Sequence, residues 1–128
     1  KHWVVEDCGT PINPLLIEEQ VRGGVVQGLG GALYEECLYD ERGQLLNGSL
    51  DGYLLPMAGE MPDIEIDHAV TPTREGALGA KGAGEAGVAA APAAVMNAIN
   101  DALNPFGAEI TTMPMTPERI LRALGKIN

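Results

Sequence analysis

The chain has 128 residues and a formal net charge of −10 at pH 7. This charge argues against a nucleic-acid partner and against an anionic membrane surface, because both select basic faces. No apolar run approaches the roughly 18 residues of a membrane span. With 45% apolar residues, only 4% aromatic residues and 17 glycines, we expect residues 1–128 to form a single domain, or a fragment of one, with a core of small aliphatic side chains.

The chain opens with a predicted strand and a long predicted helix. The Trp-Val-Val run at residues 3–5 has strong strand propensity. Asn13-Pro14 is a typical helix start, with Asn as the cap and Pro at the first helical position. Residues 15–36 carry apolar side chains at helical spacing, but five glycines interrupt them. Each interior glycine costs about 1 kcal/mol relative to alanine, so we expect close packing against another backbone or a flat ligand.

One face of this predicted helix is nearly bare. Gln20, Gly24, Gly28 and Ala32 follow one another in steps of four, and Gln27 lies one position from that line. The face therefore presents two carboxamides about two turns apart. A carboxamide donates and accepts hydrogen bonds, which suits a ligand rich in heteroatoms. A tightly packed core helix with two capping glutamines fits the same pattern equally well.

The rest of the chain predicts short strands and two further helices. Residues 37–46 predict a hairpin about a glycine-containing turn. Residues 64–68 alternate as a half-buried strand, with His68 on its surface. Residues 88–103 predict a helix, and Thr116-Pro117-Glu118 is the start of another. This order favours an α+β domain in which helices pack on one face of a mixed sheet.

The cysteines and histidines do not indicate a metal site. Cys8 and Cys37 are too few for a disulfide scaffold, and we expect both to be buried free thiols. The two histidines lack metal-ligand spacing, so we expect no metal bound by protein side chains.

The most distinctive stretch is the glycine–glutamate loop, residues 79–87, with the sequence G-A-K-G-A-G-E-A-G. Glycines let a ligand approach the backbone, and a loop leading into a helix offers free N–H groups. Three interpretations are open: a solvated loop with a helix cap, a dinucleotide fingerprint formed by Gly82, Gly84 and Gly87, or a catalytic loop with Glu85 as general base. The fingerprint is disfavoured, because no hydrophobic strand precedes it and no acidic residue ends a second strand about 20 residues on.

Six short motifs occur in an order typical of one enzyme family. They are D-C-G at 7–9 with N-P at 13–14, Q-V-R-G-G-V-V-Q-G-L-G at 20–30, Y-L-L-P at 53–56, M-P-D-I at 61–64, G-A-K-G-A-G-E at 79–85 and M-T-P-E-R-I at 115–120. Through them, nearly the whole chain resembles the C-terminal part of the large, molybdenum-binding subunit of the xanthine dehydrogenase/aldehyde oxidase family. The resemblance is closest to aerobic carbon monoxide dehydrogenase-like large chains.

The resemblance implies a molybdenum–pterin cofactor, with the cytosine dinucleotide form as one candidate, and oxidative hydroxylation with water-derived oxygen. Glu85 would be the general base that takes a proton from the attacking hydroxyl. Gln20 would hydrogen-bond the pterin–dithiolene end, and Gln27 matches a second family glutamine. The loop residues implied to lie at the cofactor are Lys81, Gly82, Ala83 and Gly84.

The resemblance also implies partners. These are the remainder of the large subunit, iron–sulfur and flavin subunits or domains that carry electrons away, and a small-molecule substrate, all in the cytoplasm. The chain alone would be inactive, would retain no cofactor and would expose surfaces able to form a homodimer. Carbon monoxide dehydrogenases carry a copper-binding cysteine upstream, and neither cysteine here matches it. A non-catalytic binding or assembly module that retains the fold is the alternative.

Overall fold

The computed structural model describes residues 1–128 and has an α+β architecture, as expected. The helices and strands, in chain order, are β1 (His2–Glu6), α1 (Pro14–Leu33), β2 (Ile64–His68), α2 (Ala86–Leu103) and α3 (Pro117–Ala123), with 3₁₀ turns at Ala58–Glu60 and Asn104–Phe106. The chain divides into two compact units. Unit 1 comprises residues 1–28 and 58–91, and unit 2 comprises residues 29–57 and 92–128. None of the helices is both long and apolar enough to cross a membrane.

The sheet is smaller than the predicted mixed sheet. β1 and β2 pair in parallel, with His2 opposite Ile64 and Glu6 opposite His68, so both predicted strands are confirmed. The predicted hairpin is reduced to one antiparallel bridge between Tyr39 and Leu45. Within its turn, Asp40 Oδ1 accepts the backbone N–H groups of residues 42 and 44 at 2.8 Å each. These side-chain bonds replace part of the ladder that a longer hairpin would form.

α1 and α2 touch at the level of the backbone in unit 1. A β-carbon at Gly24 would lie 3.0 Å from Gly87 Cα, and a β-carbon at Gly87 would lie 2.1 Å from Val21 O. Val21 and Val25, beside this contact, are fully buried. The expected close packing of α1 glycines against another backbone is therefore confirmed at Gly24. It does not extend to Gly23, whose β-carbon would meet no atom within 4 Å.

Unit 2 is built on its own apolar cluster. The buried members of this cluster are Leu103, Ile110 and Met115. The Asn100 side chain donates to Ile110 O and accepts from Ile110 N, both at 2.9 Å, and so fixes the chain after α2. Thr116 caps α3 by accepting the Arg119 N–H at 3.3 Å, which confirms the predicted helix start.

Candidate active site

The glycine–glutamate loop begins with a close backbone contact to the turn after β1. Gly9 and Ala80 form an antiparallel bridge, and Lys81 N donates to Cys8 O at 2.7 Å. Gly9 and Gly79 have φ of +68° and +69°, and a β-carbon at Gly9 would lie 2.3 Å from Gly79 O. Only glycine adopts this backbone conformation and spacing without strain. Glycine at positions 9 and 79 therefore allows the start of the loop to pack against residues 7–10.

Lys81 is engaged by a carboxylate of its own chain. Its Nζ donates to Asp7 Oδ2 at 2.9 Å, while Asp7 Oδ1 accepts the Gly9 N–H at 2.9 Å. The Lys81 hydrogen bond and then the Gly9 hydrogen bond lower the pKa of Asp7 below its ordinary 3.8. Because the folded pKa is lowered, this stabilisation is present above the ordinary pKa and is lost as pH falls through the lowered value.

Gln20 holds the other end of the loop. Its Nε2 donates to Gly84 O at 2.8 Å, across 64 residues of sequence. α1 thus reaches the loop one residue before Glu85. Gln20 is exposed, and its side-chain oxygen accepts no hydrogen bond within the chain. Gln27, two turns further along α1, is also exposed, and it makes no hydrogen bond to the loop.

Glu85 caps the start of α2. Its backbone oxygen accepts the N–H groups of Val88 and Ala89 at 3.2 Å each, and its side chain is exposed. Gly82 and Gly84 do not have positive φ, and no atom lies within 4 Å of the place that a β-carbon would take at either residue. The chain itself gives no steric reason for glycine at these two positions. The arrangement leaves space for a ligand to lie against the backbone just before the carboxylate.

The dinucleotide-fingerprint interpretation is wrong for this loop. β2 ends at His68, and the residues between it and the loop form turns rather than the required strand. Gly87, the third glycine of the match, belongs to the first turn of α2 and is explained by its contact with Val21.

A groove of about 300 Å³ runs beside the loop, largely with apolar walls. Its lining residues are Cys8, Thr10, Ile12, Asn13, Leu16, Ile17, Gln20, Ala80, Lys81 and Ala83. A groove with apolar walls and a few polar groups suits a flat ring system that carries heteroatoms on its edge.

His68 is not the surface residue that the sequence predicts. The parallel register puts it beside Glu6, and its Nδ1 contacts the Glu6 carboxylate. Only 19% of the His68 side chain and 3% of the Glu6 side chain are exposed. Glu6 Oε2 and His68 Nε2 are buried without a partner, and Cys8 Sγ lies within 4.8 Å of this pair. Structural zinc sites use four ligands, whereas two of these groups already bind each other, so we interpret the pair as a link between the strands.

Cys8 is expected to resist alkylation. Its side chain is buried, as predicted, whereas Cys37 is exposed and that prediction is wrong. Burial, followed by the neighbouring Glu6 carboxylate, raises the pKa of the Cys8 thiol. A raised pKa leaves little thiolate at neutral pH, and the thiolate is the reactive form. Peptide mapping after iodoacetamide treatment at pH 7.5 should find Cys8 unmodified in the native protein and modified after unfolding. Rapid modification of native Cys8 would contradict this.

Comparison with known proteins relates this chain to a family. A family model described as a molybdopterin cofactor-binding domain matches residues 1–62. The nicotine 6-hydroxylase large subunit of Paenarthrobacter nicotinovorans is 50% identical over 123 residues, covering 96% of this chain and 15% of the relative. The chain belongs to the molybdenum subunits of the xanthine dehydrogenase family. The motif-based resemblance is thereby confirmed.

Two further relatives show that the similarity covers the whole chain in sequence and nearly the whole chain in structure. The carbon monoxide dehydrogenase large chain of Hydrogenophaga pseudoflava is 36% identical over 128 residues, covering 100% of this chain and 16% of the relative. The quinoline 2-oxidoreductase structure from Pseudomonas putida 86 superimposes with a TM-score of 0.93 at 47% identity, over 98% of this chain and 16% of that one. The chain spans about 15% of the length of the curated relatives it matches.

Proposed function

We propose that this chain is the C-terminal cofactor-binding portion of a molybdenum hydroxylase and that Glu85 is its general base. The observation that carries the proposal is the loop held at both ends, by Asp7 and by Gln20, with an exposed carboxylate at the start of α2. The activity would belong to the whole enzyme, because the chain covers only a small part of its relatives. Alone, it is expected to be inactive.

The residues present fit a molybdenum–pterin cofactor. Gln20 retains its carbonyl oxygen and its second N–H for the pterin edge, and the backbone at Gly82, Ala83 and Gly84 is open to an approaching ligand. The family resemblance implies that Lys81 contacts the cofactor directly. Its ammonium group instead binds Asp7, so we propose that Lys81 contributes by holding the loop. When bound, the cofactor would supply the redox chemistry and the activated, water-derived oxygen.

Glu85 would move the proton in this reaction. Its carboxylate takes part in no hydrogen bond or ion pair within the chain, so either oxygen can accept a proton from a hydroxyl brought within about 3 Å. The helix N-terminus next to it favours a negatively charged side chain at this position. The two anchors of the loop fix the backbone on which the carboxylate is carried. The chain thus supplies a positioned base and a cradle.

Nitrogen heteroaromatic compounds are the substrate class that we propose. The relative at 50% identity is named for 6-hydroxylation of nicotine, and the neighbour at 47% for 2-oxidation of quinoline. In both rings the named carbon is next to the ring nitrogen and is therefore electron-poor. Turnover of quinoline or nicotine, followed with an electron-accepting dye, should exceed carbon monoxide oxidation by the same enzyme. The reverse order would contradict this substrate class.

The composition of the native protein tests the proposed function. Intact mass and elemental analysis should find a chain much longer than 128 residues with about one molybdenum atom. Release of a cytidine nucleotide on hydrolysis of the cofactor would identify its cytosine form. A short native chain without molybdenum would instead support a non-catalytic binding or assembly module. The role of Gln27, the iron–sulfur and flavin partners, the cytoplasmic location and homodimer formation stay predictions.

A further inference from the structure

We propose that Asp7 is a positioning residue of the active site, which holds the glycine–glutamate loop in its working shape through Lys81. This inference rests on the proposed function of Glu85, but its central claim concerns the loop itself. Asp7 lies in the turn after β1, 74 residues from Lys81 in sequence.

The Asp7 carboxylate joins three separate segments. Oδ1 accepts the N–H of Gly9 at 2.9 Å and the N–H of Thr71 at 3.2 Å. Oδ2 accepts Lys81 Nζ at 2.9 Å and also the Thr71 hydroxyl. One side chain thus binds its own turn, the segment after β2 and the loop. Hydrogen bonds to a charged acceptor are roughly twice as strong as neutral ones, and all four acceptor positions of the carboxylate are used.

Backbone hydrogen bonds hold the same part of the loop as the Asp7 carboxylate. Lys81 N donates to Cys8 O at 2.7 Å, and Thr10 N donates to Gly79 O at 3.0 Å. The Lys81 side chain passes close to Gly9, where an added β-carbon would lie 3.1 Å from Lys81 Cγ, and reaches Asp7. After residue 81 the next hydrogen bond to another element is the one from Gln20 to Gly84 O. The loop before Glu85 is therefore held at two places, by Gln20 at Gly84 and by the backbone bonds together with the Asp7–Lys81 ion pair at residues 79–81.

Neutralising Asp7 should loosen the loop without removing any group that touches the substrate. Asp7→Asn keeps one acceptor oxygen for the backbone N–H groups but loses the charge that holds Lys81. In the full molybdenum enzyme, hydrogen exchange of peptides covering residues 79–85 should become faster. Turnover per molybdenum should fall about 10-fold to 100-fold, the scale at which small displacements of catalytic groups act, while KM changes little.

The coupling to Lys81 provides the decisive control. Lys81→Gln should produce the same faster exchange and slower turnover, and the double variant should be no worse than the more affected single variant. Asp63→Asn, an exposed aspartate just before β2, should change neither measurement. Effects that multiply in the double variant would overturn the proposal, because Asp7 would then act independently of Lys81. Unchanged exchange in residues 79–85 would also overturn it.

Two further variants distinguish a failure of this proposal from misfolding and from a failure of the proposed function. If Asp7→Asn fails to fold or to load molybdenum, Lys81→Gln decides the proposal, because it leaves the Asp7 bonds to the backbone intact. If Glu85→Gln proves fully active, the proposed function fails. The exchange measurement still shows in that case whether Asp7 holds the loop.

Discussion

Replacement of Glu85 by glutamine is expected to reduce turnover of the enzyme that carries this chain by about 10²-fold to 10⁴-fold, the range typical of a lost general base. Glutamine has nearly the same size and keeps an oxygen acceptor, but it does not take up a proton. The fall should appear in kcat, with KM for the substrate little changed, because the missing interaction is made only as the proton moves. Steady-state assays normalised to molybdenum content measure this directly.

The control for this substitution is Glu41→Gln. Glu41 is exposed in the turn of the hairpin, so the change removes the same charge without touching the loop. Both variants should bind molybdenum as the unmodified enzyme does. Full activity of Glu85→Gln per molybdenum would contradict its role as base, and an equal loss in Glu41→Gln would indicate a nonspecific effect of charge.

The parts of the fold that depend on neighbouring residues could be predicted from the sequence. Asn13 accepts the Leu16 N–H at 3.2 Å, and Thr116 caps α3 in the same way. Both motifs lie within four residues, so their geometry follows from local preferences. The helix after the glycine–glutamate loop was likewise predicted from its apolar stripe.

The contacts that build the site could not be predicted by the same reasoning. Glu6 and His68 are 62 residues apart, and Asp7 and Lys81 are 74 apart. Glu6 and His68 meet because β1 and β2 pair in parallel, a register that the alternation of either strand alone does not determine. Asp7 and Lys81 meet because Gly9 and Ala80, their neighbours in sequence, form an antiparallel bridge. The only sequence signal for the second pair was opposite charge in two glycine-containing turns. The roles implied for Glu85 and Gln20 came from family motifs and stay predictions.

The glycines of α1 show where sequence reasoning was sufficient and where it was not. Their cost to an isolated helix predicts a close neighbour, which is correct at Gly24 and wrong at Gly23 and Gly31, where an added β-carbon would meet no atom within 4 Å. The sequence does not identify that neighbour, because Gly87 also fits the glycine pattern of the loop. In the structure, Gly87 lies against Val21 O in the first turn of α2. Its lack of a side chain therefore serves helix packing.

Gly87→Ala is expected to cause a large loss of stability in the protein that carries this chain. The new β-carbon would lie 2.1 Å from Val21 O and 3.0 Å from Val25 N. Both are backbone atoms of α1, so rotation of a side chain does not relieve the clash and one helix must move. Overpacking typically costs about 1–3 kcal/mol, and occasionally more. We expect the upper end of this range, seen as a lower melting temperature and a lower yield of molybdenum-loaded protein.

Gly23→Ala is the matched control, because Gly23 lies in α1 but outside its contact with α2. Gly23 is exposed, and its β-carbon would meet no atom within 4 Å. Alanine is favoured over glycine by about 1 kcal/mol inside a helix, so stability should be unchanged or slightly higher. Equal melting temperatures for Gly87→Ala, Gly23→Ala and the unmodified protein would show that α1 and α2 do not meet at their backbones. Because the displaced helix α2 begins next to Glu85, a real clash should also lower activity per molybdenum in Gly87→Ala alone.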